Sequence, residues 1–205
     1  MLMKQYECAF EIAGATAMFT RPDTGAAPVS YPAPTYSAAK GMFEAIARLK
    51  STYISPTRVE ICAPIKYQKY TTNYGGPLRK SDLLGTRSSY QLKATVLVDV
   101  CYRIYGVVRR FTDPPSEING LHACQEIFQR RLERGQFYYV PCLGWKEFVP
   151  SYVGKFRETT RPDNSINLVI PSMLHSVFSQ PVNGQVKPRY VQNVQIREGV
   201  FEYAE

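Results

Sequence analysis

Residues 58–105 read RVEICAPIKYQKYTTNYGGPLRKSDLLGTRSSYQLKATVLVDVCYRIY, and the rest of the chain is arranged around them. On the way in, Val59, Ile61, Ala63, Ile65 and Tyr67 alternate with Arg58, Glu60, Cys62, Lys66 and Gln68. On the way out, Leu92, Ala94, Val96, Val98, Val100 and Tyr102 alternate with Gln91, Lys93, Thr95, Asp99 and Arg103. A period of two over this length predicts half-buried antiparallel strands, with one face on a core and one in solvent. Between them lies a basic excursion, Lys66-Tyr67-Gln68-Lys69-Tyr70, then Gly75-Gly76, Arg79-Lys80 and Arg87, in which Asp82 is the only acid from Lys66 to Lys93. Cations interleaved with flat rings suit single-stranded nucleic acid, because the cations meet phosphates and the rings stack on bases. A solvated hairpin with tyrosines packed on it accounts for the same residues.

Working outward, Tyr6, Cys8, Phe10 and Ile12 predict a first strand that Gly14 breaks, and residues 21–28 carry loop chemistry. A helix is expected from Ser37 to Lys50, capped by Thr35 or Ser37, with Ala39, Met42, Phe43, Ile46 and Leu49 as its apolar stripe. Gly41 inside it suggests a close backbone approach. A second helix is expected from Asn119 to Arg134, stopped by Gly135. Its Arg130, Arg131 and Arg134 sit favourably at the negative end of the helix dipole, which explains them without any partner. Phe137–Val140 and Glu147–Val153 read as short strands, residues 155–164 as a loop, and the tail as one or two closing strands.

The order strand, helix, strand, strand, helix, strand predicts an α+β fold with a ferredoxin-like (RRM-like) βαββαβ core. Its antiparallel sheet would carry both helices on one face and leave the other free for RNA. Residues 1–154 form the core domain, with a long β-hairpin thumb inserted at about 66–93. Residues 155–205 form a short β-rich extension on the same domain.

The formal net charge of +8 and pI of about 9.3 favour a polyanionic partner. No run of about 18 apolar residues is present, so a spanning helix is not expected, nor is a signal core at the N-terminus. Five scattered cysteines without C-x-x-C spacing, and only two histidines, indicate neither a metal site nor a disulfide framework. The expectation is a cytoplasmic protein without cofactor. There is no G-x-S-x-G, P-loop or G-x-G-x-x-G to support a hydrolase or nucleotide enzyme.

Several stretches resemble the CRISPR-associated Cas-five family of the RAMP superfamily, of the subtype I-C kind. They are Phe19-Thr20-Arg21-Pro22; Ser30-Tyr31-Pro32 followed by Pro34-Thr35-Tyr36-Ser37-Ala38-Ala39-Lys40-Gly41; Pro64-Ile65; His122 with Arg130-Arg131-Leu132-Glu133-Arg134-Gly135-Gln136; and Pro141-Cys142-Leu143-Gly144 with Lys146-Glu147-Phe148. The resemblance covers about residues 4–150 and implies a subunit of the Cascade surveillance complex. Such a subunit clasps the 5′ handle of the guide RNA with its thumb, beside a repeated backbone subunit, the large subunit and target DNA.

The RNA contacts expected are Lys66, Lys69, Tyr70, Arg79, Lys80 and Arg87, then Arg21, Tyr31, Lys40, Arg103 and Lys146, with Tyr67, Tyr74 and Tyr90 as further stacking faces. Subtype I-C relatives also cut precursor RNA without metal, through a tyrosine ending the first helix and a Lys-His pair opening the second. The corresponding positions here are Ala47, Leu121 and His122. Only His122 can move a proton, so the catalytic set implied is incomplete and a guide-binding subunit served by a separate nuclease is expected. Lys50 and Tyr53 lie close in sequence to Ala47 as substitutes, and His122 also reads as an ordinary polar residue of a first helical turn. A metal-independent endoribonuclease and a non-catalytic RNA chaperone stay open as alternatives.

Overall fold

One 21-residue strand, Tyr90–Arg110 (β4), is the spine of the computed structural model, which describes residues 5–74, 90–111, 120–177 and 187–204. Along one edge β4 pairs antiparallel with Glu7–Ala17 (β1). Along the other it pairs with Tyr67–Tyr74 (β3), from Tyr67↔Leu97 to Tyr74↔Tyr90, and then with Thr52–Ile61 (β2), from Ile61↔Tyr102 to Thr52↔Arg110. The incoming limb of the expected ribbon is therefore two strands rather than one. Between them, residues 62–66 lie across from 98–101. The backbone N–H of Cys62 donates to Cys101 O at 2.8 Å, and Val98 N–H donates to Lys66 O at 3.1 Å. The extra residue on the incoming side forces a bulge, Pro64 supplies no N–H for a ladder there, and Asp99 opposite takes a left-handed φ of 54°.

The main sheet has the order β5-β1-β4-β2-β8, with short outer strands Tyr152–Gly154 (β5) and Val200–Glu202 (β8). β1 continues straight through Gly14, which is no break. A Cβ there would come within 2.5 Å of Leu143 Cδ1, so the glycine serves a close approach rather than a turn.

Two helices, Tyr36–Ile46 (α1) and Gly120–Arg134 (α2), lie on one face of the sheet. Phe10 of β1 meets both Phe43 of α1 at 5.0 Å and Phe128 of α2 at 6.1 Å, edge-on. Thr35 caps α1 by accepting the Ala38 N–H at 3.2 Å. The helix ends four residues before Lys50 because its last carbonyls are taken from outside. Tyr138 and Tyr139 N–H donate to Ala45 O, and Arg131 Nη1 donates to Ile46 O at 3.0 Å. Gly41 has open space around its Cβ position, so no close approach explains it. Gly135, at φ 60°, stops α2 where expected.

Phe137–Val140 forms no strand, since its backbone serves the α1 terminus and Val140 stands 67 % exposed. Of residues 147–153, only Tyr152 and Val153 join a strand. Leu168–Ser176 (β6) and Arg189–Ile196 (β7) pair as a separate two-stranded sheet.

The sheet face away from the helices is not left free. Residues 156–160 roof part of it, with Glu11 fully buried and Arg103 only 9 % exposed beneath. Arg157 and Thr160 both hydrogen-bond to the Glu11 carboxylate. Among the described residues, no helix is long and apolar enough to cross a membrane.

Candidate nucleic-acid interface

Where β3 leaves the sheet, the strand pitch turns Tyr67 and Lys69 to one face, and Lys66 precedes the first ladder pair. Lys66 and Lys69 are exposed and pair with no acid among the described residues, and Tyr67 is 47 % exposed. Tyr70 turns inward, edge-on to Phe148 at 5.5 Å, and Phe148 stacks with Trp145 at 5.7 Å and 19°. Trp145 Nε1 donates to Thr20 Oγ1 at 3.0 Å, tying this row of rings to the end of β1. The ring of Tyr70 thus anchors the ribbon on its domain. Gly144 allows that anchor: at φ 92°, a Cβ would stand 1.8 Å from Met18 O. The sole tryptophan, set between Gly144 and Lys146, was the sequence signal for this patch, and the sequence reading made no use of it.

Lys146 is exposed beside Trp145. Arg21 grips Asp23 through two hydrogen bonds of 2.7 and 3.1 Å, and that hydrogen bonding raises its pKa further. It also lies 5.9 Å from the Tyr31 ring. Arg79, Lys80, Arg87, Gly75 and Gly76 lie outside the described residues, as do the side chains of Tyr74 and Tyr90.

Two expected contacts are instead interior. Tyr31 is 3 % exposed, and its hydroxyl accepts the Leu174 N–H at 3.1 Å, which leaves the ring inside the core. Arg103 points into the roofed face, 3.6 Å from Glu11 and 3.8 Å from Glu60, and donates to Arg157 O and Thr160 O at 3.0 and 2.7 Å. Burial pushes the Glu11 pKa up, but hydrogen bonds from Thr160 and Arg157 and the Arg157 charge outweigh it. The carboxyl is held below its ordinary value of 4.5.

At the helix ends, Ala47 is 3 % exposed and buried under the turn that closes α1, while His122 is exposed in the first turns of α2, 5.9 Å from the Tyr6 ring. Tyr53 does not fill the vacant tyrosine role in the open. Its ring packs on Phe111 at 4.6 Å, and Lys40 lies 4.7 Å above it, with Glu44 at 3.8 Å. Lys50 is exposed.

A cleft of about 1720 Å³ opens between α1, the outer edge of β2, the end of β4 and the C-terminal residues. Its wall includes a stacked pair, Tyr36 and His175, with centroids 4.0 Å apart. His175 is 6 % exposed and bonded to Ser176 and Ala204 O. Burial, then the nearby Arg189, lowers its pKa below 6.5, so the ring is neutral and structural at pH 7. Among the described residues, no three His, Cys, Asp or Glu side chains gather as metal ligands.

Fold and surface together define a mixed α/β protein built on an antiparallel sheet with two helices, from whose long central strand a basic ribbon departs. Residues 8–182 match the profile of the family described as "CRISPR-associated protein (Cas_Cas5)". The "CRISPR pre-crRNA endoribonuclease Cas5d" of Thermus thermophilus is 29 % identical over 207 residues, covering 92 % of this chain and 87 % of that protein. A solved structure described as a CRISPR-associated protein superposes over 100 % of this chain and 95 % of its own, at TM-score 0.73 and 20 % identity. A chain of a "CRISPR RNA-guided surveillance complex" superposes over 96 % and 90 %, at TM-score 0.52 and 15 % identity. The chain belongs to the CRISPR-associated Cas5 family.

Proposed function

We propose that this chain is the guide-RNA subunit of a subtype I-C-like surveillance complex, clasping the 5′ handle with the ribbon of β3 and β4. The observation that carries the reading is the pair Lys66 and Lys69, exposed on that ribbon without an acid partner among the described residues. Unpaired cations beside an exposed ring suit a phosphate backbone whose bases stack. The family match and the surveillance-complex likeness support the same assignment. On this reading β1, α1, β2, β4, α2 and β5 form a ferredoxin-like core, the 66–93 insertion is the thumb, and 155–205 is an extension on the same body. The partners are a repeated backbone subunit and the large subunit, with target DNA close by, in the cytoplasm.

The Thermus relative is named as an endoribonuclease, and cleavage is the second reading. Against it stand buried Ala47 and apolar Leu121, which leave His122 without the base and cation that a 2′-hydroxyl attack requires. The test uses purified protein with precursor RNA in chelator and with isolated handle RNA. Handle binding tighter than to scrambled RNA, with no cleavage, supports the proposal. Prompt cleavage lost in His122→Ala overturns the non-catalytic part, and equal affinity for scrambled RNA returns the chaperone reading.

A further inference from the structure

The large cleft lies at the far end of β4 from the ribbon. From Thr95, opposite Lys69, to Arg110 is fifteen residues, on the order of 45 Å of strand. The described part of the ribbon therefore leaves the cleft without a role. Of the cations lining it, Lys40 pairs with Glu44 and Arg58 with Glu60, while Arg110 is exposed with no acid on it among the described residues, and the rings of the cleft are presented in an ordered way. The Arg58 guanidinium stands 3.9 Å over the Tyr105 ring, backed by Phe156 at 5.3 Å and held by Glu60 at 3.2 Å. Phe111 is 51 % exposed on Tyr53, and Lys40 sits against both of those rings. An arginine pinned on a tyrosine and, six residues further along the strand and so about 20 Å away, an exposed phenylalanine on a second tyrosine are two stacking surfaces held in place by their neighbours.

We infer that this cleft is a second, sequence-tolerant contact for single-stranded RNA, stacking bases on the Arg58–Tyr105 and Phe111–Tyr53 pairs while Arg110 meets phosphate. The inference rests on the guide-subunit reading and extends it: the thumb takes the handle, and the cleft takes RNA continuing beyond it. Tolerance follows because every base offers a π face and every nucleotide a phosphate. The competing occupant is a strand of a partner protein. Among the described residues, β2 pairs with β8 only over Arg58–Glu60, with Tyr203 N–H on Thr57 O. Residues 52–56 thus keep an outer edge, but Pro56 removes a donor from it, and the exposed Arg110 and the open faces of Arg58 and Phe111 favour a nucleic-acid strand.

The test compares handle RNA with handle RNA extended by a single-stranded tract carrying 5-iodouridine, on wild type, Arg58→Ala/Phe111→Ala and Arg110→Glu. The extended RNA is expected to bind wild type about tenfold tighter than the handle, and both cleft variants to lose that gain while holding the handle within twofold. Ultraviolet cross-links should map to residues 53–58 or 105–111 as well as to the ribbon. Arg110 is exposed at a strand end, so its variant reads the cleft even where the double variant folds poorly. Handle binding with cross-links confined to the ribbon, or an extension that adds no affinity, overturns this inference alone. Failure of wild type to bind the handle overturns the guide-subunit reading as well.

Discussion

The ribbon root and the roofed face of the sheet are built from the same residue types and do opposite work. At the root, Lys66 and Lys69 stand in solvent beside Tyr67, with no acid on them among the described residues. Under the roof, Arg103 and Arg157 close on Glu11, and Arg103 on Glu60 as well, with Phe156 4.7 Å from the Arg103 guanidinium. One set is available to a partner; the other fastens residues 156–160 to the sheet. Counting cations therefore does not locate an RNA surface. Their pairing does, because a charge already neutralised and desolvated has no surplus to offer phosphate.

The largest effect that could break this contrast is on stability. Glu11→Gln leaves two arginines facing a neutral amide and should cost about 3–5 kcal/mol, read as a large fall in Tm, while the folded fraction binds handle RNA as before. A loss of RNA affinity at unchanged Tm would show that the roofed face contacts RNA after all. Phe148→Ala comes next. It removes the ring between Tyr70 and Trp145 and should cost about 3 kcal/mol, with faster hydrogen exchange in β3 as the specific sign that the anchor is gone. Exchange unchanged in β3 would mean that the ribbon does not depend on that row.

The smallest expected effects are on pH dependence, and their signs are fixed. Both His175 and Glu11 have folded pKa values below their ordinary ones, so each contributes stability that is complete above the ordinary value and lost on acidification. Stability should hold above pH 6.5, begin to fall there as the unfolded state protonates at His175, and fall again below pH 4.5 through Glu11. His175→Gln should remove the first descent only. A first descent that persists in that variant would assign it elsewhere.

Much of the framework was legible in the chain. Alternation in Leu92–Tyr102 announced the central strand, Thr35 and Gly135 marked a helix start and a helix stop, and the family-like runs around Tyr31 and Arg131 pointed to the family that residues 8–182 match. Local pattern failed where distant contacts decide. Gly14 reads as a breaker until Leu143 is seen against it, and Phe137–Val140 reads as a strand until its N–H groups are found on Ala45. Arg103 looked available because strand alternation puts it on the polar face, and Tyr31 because it lies in a family-like run, while the segments that cover them, residues 157–160 and β6, lie far along the chain. The cleft escaped notice for the same reason, since it joins α1, β2, β4 and the C-terminus.

The most direct test is a titration of handle RNA against wild type and Lys66→Glu/Lys69→Glu at two salt concentrations. The account predicts a loss of at least tenfold in affinity and a shallower salt dependence, by about one phosphate contact per lysine, with stability changed by no more than about 0.5 kcal/mol per substitution. Unchanged affinity in a folded double variant would contradict it.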